Sequence, residues 1–464
     1  MPSKEELFKL IPQVDRLMQN EVITDCNIYR HEVASAVRDT LGELRDEIKT
    51  SKIDSIPADD VLAQRAVDLA MKRAQYDRDV RRIINATGVI LHSNLGRACL
   101  SKAAAEAVVE AASSYCTLEY NVEKGERGSR TGGVEKYLSD VTGCEASLIV
   151  NNNAAAVLLI LSALASDGSV VVSRGELVEI GGGFRVPDIM EQCGCELNEV
   201  GTTNKTRIED YENAISDKTR AILKVHSSNF KIVGFTEAVN IEKLATLSRK
   251  HDIPLIEDIG SGALIDVQRY GLNDEPLAKE SLKNGADIVS FSGDKLLGGL
   301  QCGIIIGNKK LVDTMKKHPL YRAFRVDKIT IAALEATLRL YGDPRMAEKE
   351  IPVLSMLSAS ETELEFRAEK LCGKIYAKGG AAEVIKTQSV AGGGAVPGLE
   401  LNSFAVSPKS KESTDGVEKR LRGLPVPIIS RIEDDRVLLD IRTIIDDDFD
   451  YIAESLAQIS REPQ

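Results

Sequence analysis

The sequence comprises 464 residues, of which 43% are hydrophobic and 28% are charged, and its formal net charge is −12. Because this length is about three times the ~150 residues of a typical domain, we expect more than one folded unit. The composition excludes a disordered or fibrous chain. The acidic balance argues against non-specific binding to nucleic acid, although a local basic patch can still contact a folded RNA.

Neither a signal peptide nor a membrane span is predicted. The N-terminal stretch MPSKEELFKL carries charges of both signs and lacks an apolar core of signal-peptide length. The longest apolar run, Ala154 to Ala165, falls short of the ~18 residues that indicate a membrane span. We therefore predict a cytoplasmic protein.

The cysteines and histidines do not form a recognisable metal or redox motif. Among eight cysteines, Cys193 and Cys195 form the only close pair, and their spacing matches neither a CxxC redox motif nor half of a zinc site. The five histidines lie far apart without HExxH spacing. We expect reduced, mostly structural thiols and no metal.

The first 80 residues contain a single glycine, Gly42, and read as a helical appendage. Apolar residues recur at helical intervals in the first run, at Leu7, Leu10, Ile11, Val14, Leu17 and Met18. Further runs cover Val33 to Ile48 and, after Pro57, Val61 to about Tyr76. Residues 1–80 hold 12 Lys and Arg against 16 Asp and Glu, so the residues alone favour an oligomerisation or packing arm.

From about residue 85, short β-branched runs alternate with helical stretches. The predicted strands are Ala146 to Val150, Ser169 to Ser173, Arg220 to His226, Ile253 to Asp258, Asp287 to Ser292 and Gly303 to Gly307. This alternation predicts an α/β fold with a mostly parallel sheet and helices on both faces. In such sheets ligands bind at the carboxyl ends of the strands.

An asparagine run, Asn151, Asn152 and Asn153, follows the first of these strands and opens a helix. Free backbone N–H groups and the helix dipole at such a start can hold a phosphate group. Asparagine is also a routine helix cap, and on these residues alone the structural interpretation is the stronger one.

Two further strand ends supply the chemical context. Asp258 lies in the stretch Ile256 to Gly262, and Lys295 follows 37 residues later in the loop Ser292-Gly-Asp-Lys-Leu-Leu-Gly-Gly299. Pyridoxal phosphate needs a carboxylate to keep its ring nitrogen protonated and a lysine for covalent attachment. The pattern therefore predicts a pyridoxal-phosphate enzyme, with Ser292 contacting the phosphate and Gly298-Gly299 allowing close approach to the ring.

The sequence also resembles the bacterial selenocysteine synthases, the L-seryl-tRNA(Sec) selenium transferases, which are fold-type-I pyridoxal-phosphate enzymes. The resemblance covers nearly the whole chain, beginning at LIPQVDRLM. Its most specific blocks are INATGVILHSNLGRA (84–98), NNNAAAVLL (151–159), VVSRGELVEIGGGFRVPDIM (171–190), EVGTTNKT (199–206), KVHSSNF (224–230), SFSGDKLLGG (290–299) and ALEATLRLY (333–341).

The resemblance implies three domains: a helical tRNA-binding arm at residues 1–82, a large cofactor domain at 83–342 with a mostly parallel seven-stranded sheet, and a small α+β domain at 343–464. It implies that Lys295 binds the cofactor and acts in catalysis, and that Asp294 also belongs to the active site. The remaining cofactor-binding residues that it implies are Asn151, Asn152, Asn153, Asp258, Ser292 and His226.

The reaction implied by the resemblance converts L-seryl-tRNA(Sec) to L-selenocysteinyl-tRNA(Sec) with selenophosphate. Lys295 removes the α-proton, the hydroxyl group leaves from Cβ to give a dehydroalanyl intermediate, and selenium adds to that carbon. Arg97, Arg322 and Arg325 are implied to bind selenophosphate, since guanidinium groups suit phosphate oxygens. The family also implies a homo-oligomer built from dimers, a decamer, with sites completed across dimer interfaces.

Two alternatives stay open at this point. The catalytic core alone suits a pyridoxal-phosphate ammonia-lyase or dehydratase acting on a small amino acid, although such an enzyme would not need the arm. A non-catalytic protein that binds charged tRNA would not need Lys295, Asp258 and the asparagine run intact. Arg442, which follows the apolar run Val437 to Ile441, is left without a role.

Overall fold

The computed structural model describes residues 3–76, 79–180, 183–228, 230, 232–393 and 398–461. The chain divides into two compact units, Met1–Ile84 with Arg420–Ile428, and Asn85–Lys419 with Ile429–Gln464. Within the described residues, no helix combines the length and apolar character that crossing a membrane requires. The domain boundaries at 82/83 and 342/343 stay predictions.

The first unit contains five helices among its described residues: α1 (Lys4–Leu10), α2 (Val14–Leu17), α3 (Glu21–Thr24), α4 (Arg30–Lys49) and α5 (Asp59–Tyr76). The first predicted helical run is split between α1 and α2, because Pro12 lies between them and disfavours a helical conformation at the preceding residue. Leu7 and Leu17 are buried, whereas Leu10 is 64% exposed.

The core of this unit forms between α4 and α5. The apolar stripe of α4 is buried at Val33, Ala36, Val37, Leu41, Leu44 and Ile48. Leu62, Ala66 and Ala70 of α5 are fully buried in the same cluster. The small alanine side chains allow the two helix backbones to approach each other closely, so the predicted helical arm has a hydrophobic core of its own.

The chain then passes through β1 (Ile84–Asn85), β2 (Val89–Leu91), β3 (Tyr120–Asn121), β4 (Glu126–Arg127), β5 (Ala146–Val150), β6 (Ser169–Ser173), β7 (Glu179–Ile180), β8 (Phe184–Arg185), β9 (Glu196–Val200), β10 (Thr219–Val225), β11 (Leu255–Gly260), β12 (Ile288–Ser292), β13 (Gly303–Gly307), β14 (Ala382–Gly392), β15 (Glu400–Pro408), β16 (Ile428–Ile429), β17 (Arg431–Glu433) and β18 (Arg436–Asp440).

The helices after the first unit's helical segment are α6 (Lys102–Ser113), α7 (Gly132–Thr142), α8 (Asn153–Leu164), α9 (Val186–Gln192), α10 (Ile208–Ala214), α11 (Ile241–His251), α12 (Ala278–Lys283), α13 (Lys309–Lys317), α14 (Pro319–Phe324), α15 (Lys328–Leu340), α16 (Pro344–Glu350), α17 (Pro352–Ser358), α18 (Glu361–Ala377), α19 (Thr414–Arg422) and α20 (Phe449–Arg461).

A seven-stranded sheet with the order β5-β13-β12-β11-β10-β6-β9 forms the centre of the second unit. Strands β12, β11, β10, β6 and β9 pair in parallel, and β13 is antiparallel to both of its neighbours. The predicted fold class is therefore confirmed. Two hydrophobic clusters cover the opposite faces of this sheet, and the longest apolar run of the sequence becomes the buried helix α8.

A second sheet has five strands in the order β17-β18-β15-β14-β2. Its early member, β2, lies parallel to β14, with Val89 opposite Val390 and Leu91 opposite Gly392. A segment near residue 90 thus joins a sheet built mainly from residues after 380. The β2 strand leads directly into the segment that carries Arg97.

Candidate active site

Lys295 lies in a buried turn after β12 and is 6% exposed. Backbone hydrogen bonds fix this turn: Leu296 donates to the Ser261 carbonyl group and Gly298 to that of Lys295, both at 2.9 Å. Burial lowers the pKa of the Lys295 ammonium group, while the nearby Asp258 carboxylate opposes that shift. The neutral amine needed for attack on an aldehyde is therefore favoured by the position of the side chain.

Asp258 is 4% exposed on β11, one strand away from the Lys295 turn. Its Oδ1 atom accepts hydrogen bonds from Nδ2 of Asn153 at 2.8 Å and from Oγ of Ser290 at 3.1 Å. Burial raises the pKa of this carboxyl group, and the bond from Asn153 is the largest influence in the opposite direction. Asp258 is therefore a rigidly held carboxylate at a strand end, as the sequence predicts.

The three asparagines have three different environments. Asn151 is exposed, and its backbone N–H donates to the Phe324 carbonyl oxygen at 3.1 Å. The side chain of Asn152 caps α8 by accepting from the Ala155 N–H at 2.8 Å. The side-chain amide of Asn153 donates to Asp258. Two of these side chains thus have structural partners, so a phosphate at this helix start would rely mainly on backbone N–H groups.

Arg97 and Asp294 form an ion pair beside the Lys295 turn. Nη1 of Arg97 lies 2.8 Å from Oδ2 of Asp294, and the Ala98 N–H donates to the Asp294 carbonyl oxygen at 3.3 Å. Arg97 adopts a left-handed backbone conformation, with φ 62°. Both groups influence the pKa of Lys295, Arg97 lowering it and Asp294 raising it. The structure therefore brings Arg97, Asp294 and Lys295 together.

His226 and Ser292 also lie at the ends of central strands. His226 follows β10, and its N–H donates to the Asp258 carbonyl oxygen at 2.9 Å. Burial lowers the pKa of the His226 imidazole, which favours its neutral form. Ser292 is the buried last residue of β12, and its side chain forms no hydrogen bond with another described residue. Both positions agree with a place beside a cofactor.

The other two predicted arginines lie apart from this group of contacts. Arg325 follows α14 and pairs with Glu119, with Nη1 3.4 Å from Oε1. Arg322 is exposed and has no ion pair with another described residue. Within the described part of the chain, neither arginine forms a hydrogen bond or ion pair with Lys295, Asp294 or Asp258. Of the three predicted phosphate-binding arginines, Arg97 alone pairs with a described residue of the Lys295 turn, namely Asp294.

Comparison with known proteins identifies the family. A family model described as L-seryl-tRNA selenium transferase matches residues 83–445. The chain is 46% identical to an L-seryl-tRNA(Sec) selenium transferase from Alkaliphilus oremlandii, with 98% of this chain and 99% of the relative covered. The identity to a protein of the same name from Geobacter sulfurreducens is also 46%, with the same coverage. The chain belongs to the L-seryl-tRNA(Sec) selenium transferase family.

The fold resembles that of a solved D-glucosaminate-6-phosphate ammonia-lyase. That structure has 20% sequence identity and a TM-score of 0.58, and the match covers 82% of this chain and 96% of that chain. At such low identity the likeness concerns the fold alone. The ammonia-lyase alternative therefore receives no support from it, whereas the full-length relatives support selenium transfer.

Pyridoxal phosphate is the cofactor of this selenium transferase family, and the residues of the site fit it. Asp258 and Lys295 offer a carboxylate and an amine of the kind that the cofactor requires. Gly260 has φ +67°, and a Cβ atom there would lie 3.8 Å from Nζ of Lys295. Asp294 Oδ1 and Asn153 Oδ1 are buried without hydrogen-bond partners in the described residues. The site therefore brings the glycine backbone close to the lysine amine and leaves buried polar atoms around it that a cofactor could bind.

Three charged residues escaped the sequence analysis of this selenium transferase site. Nζ of Lys224 lies 3.1 Å from Oε1 of Glu176, and Glu257 stands opposite Lys224 in the sheet register. All three line a cavity of about 430 Å³ that also reaches His226. Burial raises the pKa of Glu257. Alternation along β10 and β11 placed Lys224 and Glu257 on one face, but no pattern indicated that Glu176 would join them.

Parts of two family motifs fall outside the described residues. These are Gly181 and Gly182 of the 171–190 block and Asn229 of the 224–230 block. Arg442, left unassigned by the sequence, has structural partners: its guanidinium group donates to the carbonyl oxygens of Met356 at 2.6 Å and Asn402 at 2.5 Å. These two bonds tie Arg442 to the backbone of the region around β15.

Proposed function

We propose that this protein converts L-seryl-tRNA(Sec) to L-selenocysteinyl-tRNA(Sec) in the cytoplasm, with Lys295 as the cofactor-binding lysine. The observation that carries the proposal is full-length similarity to selenium transferases, combined with a buried lysine beside Asp258. Pyridoxal phosphate supplies an electron sink for negative charge at the α-carbon of the bound amino acid. The protein has to hold the seryl group, move its α-proton, and position the departing hydroxyl group and the incoming selenium at Cβ.

Lys295 is the proposed general base. Nζ loses its proton readily in this buried position, because burial lowers the lysine pKa, so the amine can accept the α-proton of the seryl group. Asp258 is proposed to keep the ring nitrogen protonated, which requires an ionised carboxylate at this strand end. After the β-hydroxyl group leaves as water, the selenium of selenophosphate adds to the same carbon. Water then cleaves the P–Se bond and releases inorganic phosphate, and the α-carbon regains a proton from Lys295.

Selenophosphate is the proposed selenium donor, and Arg97 its proposed ligand. A guanidinium group can bind two phosphate oxygens at once. Asp294 holds Arg97 at 2.8 Å beside the lysine turn, where selenium must reach Cβ. Phosphate oxygens and the Asp294 carboxylate would then compete for the same guanidinium group, so donor binding is expected to loosen this ion pair.

Arg322 and Arg325 are proposed to act on the site of a neighbouring copy. Support comes from their lack of contact with Lys295 in their own chain and from the exposed guanidinium group of Arg322. A homo-oligomer built from dimers, with a decamer as the proposed final assembly, would bring the arginines of one copy to the lysine of another.

Residues 1–82 are proposed to bind tRNA(Sec). In the structure of this arm, Arg16 pairs with Asp59 and Lys49 with Asp46. The basic residues that are exposed and have no ion pair in the described part of the arm include Lys9, Arg38 and Lys52. Residues 1–80 nevertheless hold 12 Lys and Arg against 16 Asp and Glu, so the arm is acidic overall, which favours recognition of RNA shape over bulk electrostatic attraction.

The selenium donor can be tested directly. Purified protein loaded with pyridoxal phosphate should transfer radioactive selenium from selenophosphate to seryl-tRNA(Sec). Free serine should not accept selenium under the same conditions, and equal labelling of free serine would contradict the proposal. Inorganic selenide serves as the comparison donor, and equal rates with selenide would argue against a phosphate-binding role for Arg97.

A further inference from the structure

Asp258 is held from two different elements, and this arrangement separates Asn153 from the other asparagines. Ser290 lies directly opposite Asp258 in the parallel register of β11 and β12. Asn153 is the first residue of α8. Both side chains donate to Oδ1, at 3.1 Å and 2.8 Å respectively. Neither side chain therefore occupies Oδ2.

We propose that Asn153 and Ser290 are positioning residues that keep Asp258 ionised and aimed at the ring nitrogen of the cofactor, and that the Asn153 side chain does not bind the cofactor phosphate. The family resemblance implied that Asn153 binds the cofactor, and the sequence indicated no role for Ser290. The proposal rests on the cofactor of the family and is independent of which tRNA or selenium donor is used.

The physical need for such donors follows from burial. A carboxylate removed from water tends to bind a proton. A protonated Asp258 would lack the negative charge that stabilises a protonated ring nitrogen. The burial that raises the pKa of Asp258 is opposed by Asn153, by the ammonium group of Lys295, by Ser290 and by the Gly260 N–H. Lysine attached to the cofactor aldehyde no longer carries an ordinary ammonium charge, so the two neutral side chains become more important in the loaded enzyme.

The competing explanation is that Asn153 binds the phosphate. Its amide nitrogen already lies 2.8 Å from Asp258. That bond uses one of the two amide N–H groups, and Oδ1 is unsuited to a phosphate because phosphate oxygens are themselves acceptors, so a phosphate contact would depend on the second N–H alone. The helix start retains backbone N–H groups for the phosphate even when the side chain is changed. The two explanations therefore predict effects at opposite ends of the cofactor.

The test uses full-length protein loaded with pyridoxal phosphate that carries an isotopically labelled ring nitrogen. Asn153→Leu and Ser290→Ala should each move the nitrogen NMR signal toward the position of an unprotonated ring, and the double variant should move it furthest. The phosphorus NMR signal should stay at its wild-type position. The dissociation constant of the cofactor should rise about tenfold in Asn153→Leu, as expected for losing one hydrogen bond to an ionised group.

Matched controls remove similar groups elsewhere in the same sheet. Ser147→Ala removes a buried hydroxyl group from β5 that has no partner in the described residues, and Asn198→Leu removes a side-chain amide on β9 that donates to the Ala214 carbonyl oxygen. Neither should move the nitrogen signal. Ser290→Ala removes a single oxygen atom and keeps the test decisive if Asn153→Leu does not fold. The proposal would be overturned if the nitrogen signal stayed unchanged in Ser290→Ala and in any Asn153→Leu protein that folds. A shift of the phosphorus signal in place of the nitrogen signal would also overturn it.

Discussion

At the scale of single residues, burial acts in opposite directions on the two groups that the cofactor needs. Burial lowers the pKa of Lys295 and raises that of Asp258. The lowered lysine pKa assists the chemistry, because a neutral amine is the reactive form. The raised carboxyl pKa opposes it, because the ionised form is required. The structure accordingly surrounds Asp258 with hydrogen-bond donors.

The Lys295 shift predicts a pH dependence of stability in the cofactor-free protein. Since the folded lysine pKa lies below its ordinary value of 10.5, the unfolded chain binds the proton more tightly, and stability should increase as the pH rises toward that value. Lys295→Met should lose this part of the increase. Urea unfolding at about pH 8 and about pH 10 measures the difference.

A wild-type increase no larger than that of Lys295→Met would show that burial does not shift this lysine. Lys243→Met provides a control on the first turn of α11, where the replaced side chain is exposed. Between the same two pH values, the free energy of unfolding of this variant should increase by as much as that of the wild-type protein.

The sequence predicted Asp258 and Lys295 as site residues but did not indicate their hydrogen-bond partners. Asp258 and Lys295 were predictable because their chemistry requires a strand end and a turn. The bond between Asn153 and Asp258 joins residues 105 positions apart, and nothing in a local pattern specifies which of three consecutive asparagines turns toward a carboxylate. The pairing of Arg325 with Glu119, 206 positions earlier, likewise depends on tertiary packing.

At the scale of elements, the predicted strands at 146–150, 169–173 and 303–307 agree with the structure residue for residue. Their hydrophobic runs are buried on both faces, which makes such runs easy to recognise. The edge strand β9 (Glu196–Val200) was not predicted. It contains two glutamates and an asparagine and has only one neighbouring strand, so its sequence lacks the continuous apolar signal of the central strands.

The Lys295 turn depends on Gly298, and this dependence can be measured. Gly298 has φ +72°, and a Cβ atom there would collide with Ile351. Gly298→Ala should therefore lower the free energy of unfolding by more than the ~1–2 kcal/mol cost of a left-handed backbone conformation, and it should weaken cofactor binding. Thermal or urea unfolding and a cofactor titration provide the measurements.

Gly143→Ala is the matched control. Gly143 also has a left-handed conformation, with φ +74°, but nothing lies within 4 Å of its Cβ position. This variant should show the backbone cost alone and retain cofactor affinity. Equal destabilisation by the two substitutions would mean that contact with Ile351 does not restrict the turn.

At the scale of the whole molecule, the arm has its own hydrophobic core, and Lys295 and its partners belong to the other unit. A protein that begins near Arg82 should therefore keep pyridoxal phosphate and lose tRNA(Sec) binding. Filter binding and cofactor absorbance test these two expectations separately. Replacement of Lys9, Arg38 and Lys52 by alanine in the full chain is the finer test, since it leaves the core of the arm intact.

Binding by the full chain should depend less steeply on salt than binding by a polybasic protein, because acidic residues outnumber basic ones in the arm. If the shortened protein bound and converted seryl-tRNA(Sec) as well as the full chain, the arm would be a packing or assembly element. If the triple variant bound tRNA(Sec) with unchanged affinity, other residues of the arm would be responsible for recognition.

Sharing of sites between copies predicts complementation. Lys295→Ala and the double variant Arg322→Ala/Arg325→Ala should each be inactive alone. Mixed oligomers should recover about a quarter of wild-type activity, because random pairing gives about half mixed dimers and each has one intact site. Activity no greater than that of the separate variants would place the arginines and the lysine in the same copy's site.

The most direct test of the account is the fate of the seryl group itself. Radiolabelled seryl-tRNA(Sec) should be incubated with selenophosphate and the loaded enzyme, and the aminoacyl-adenosine released from the terminal nucleotide should then be identified by mass and chromatography. The account predicts selenocysteinyl-adenosine with wild-type protein and unchanged seryl-adenosine with Lys295→Ala. Unchanged seryl-adenosine with cofactor-loaded wild-type protein, or selenocysteinyl-adenosine with Lys295→Ala, would contradict it.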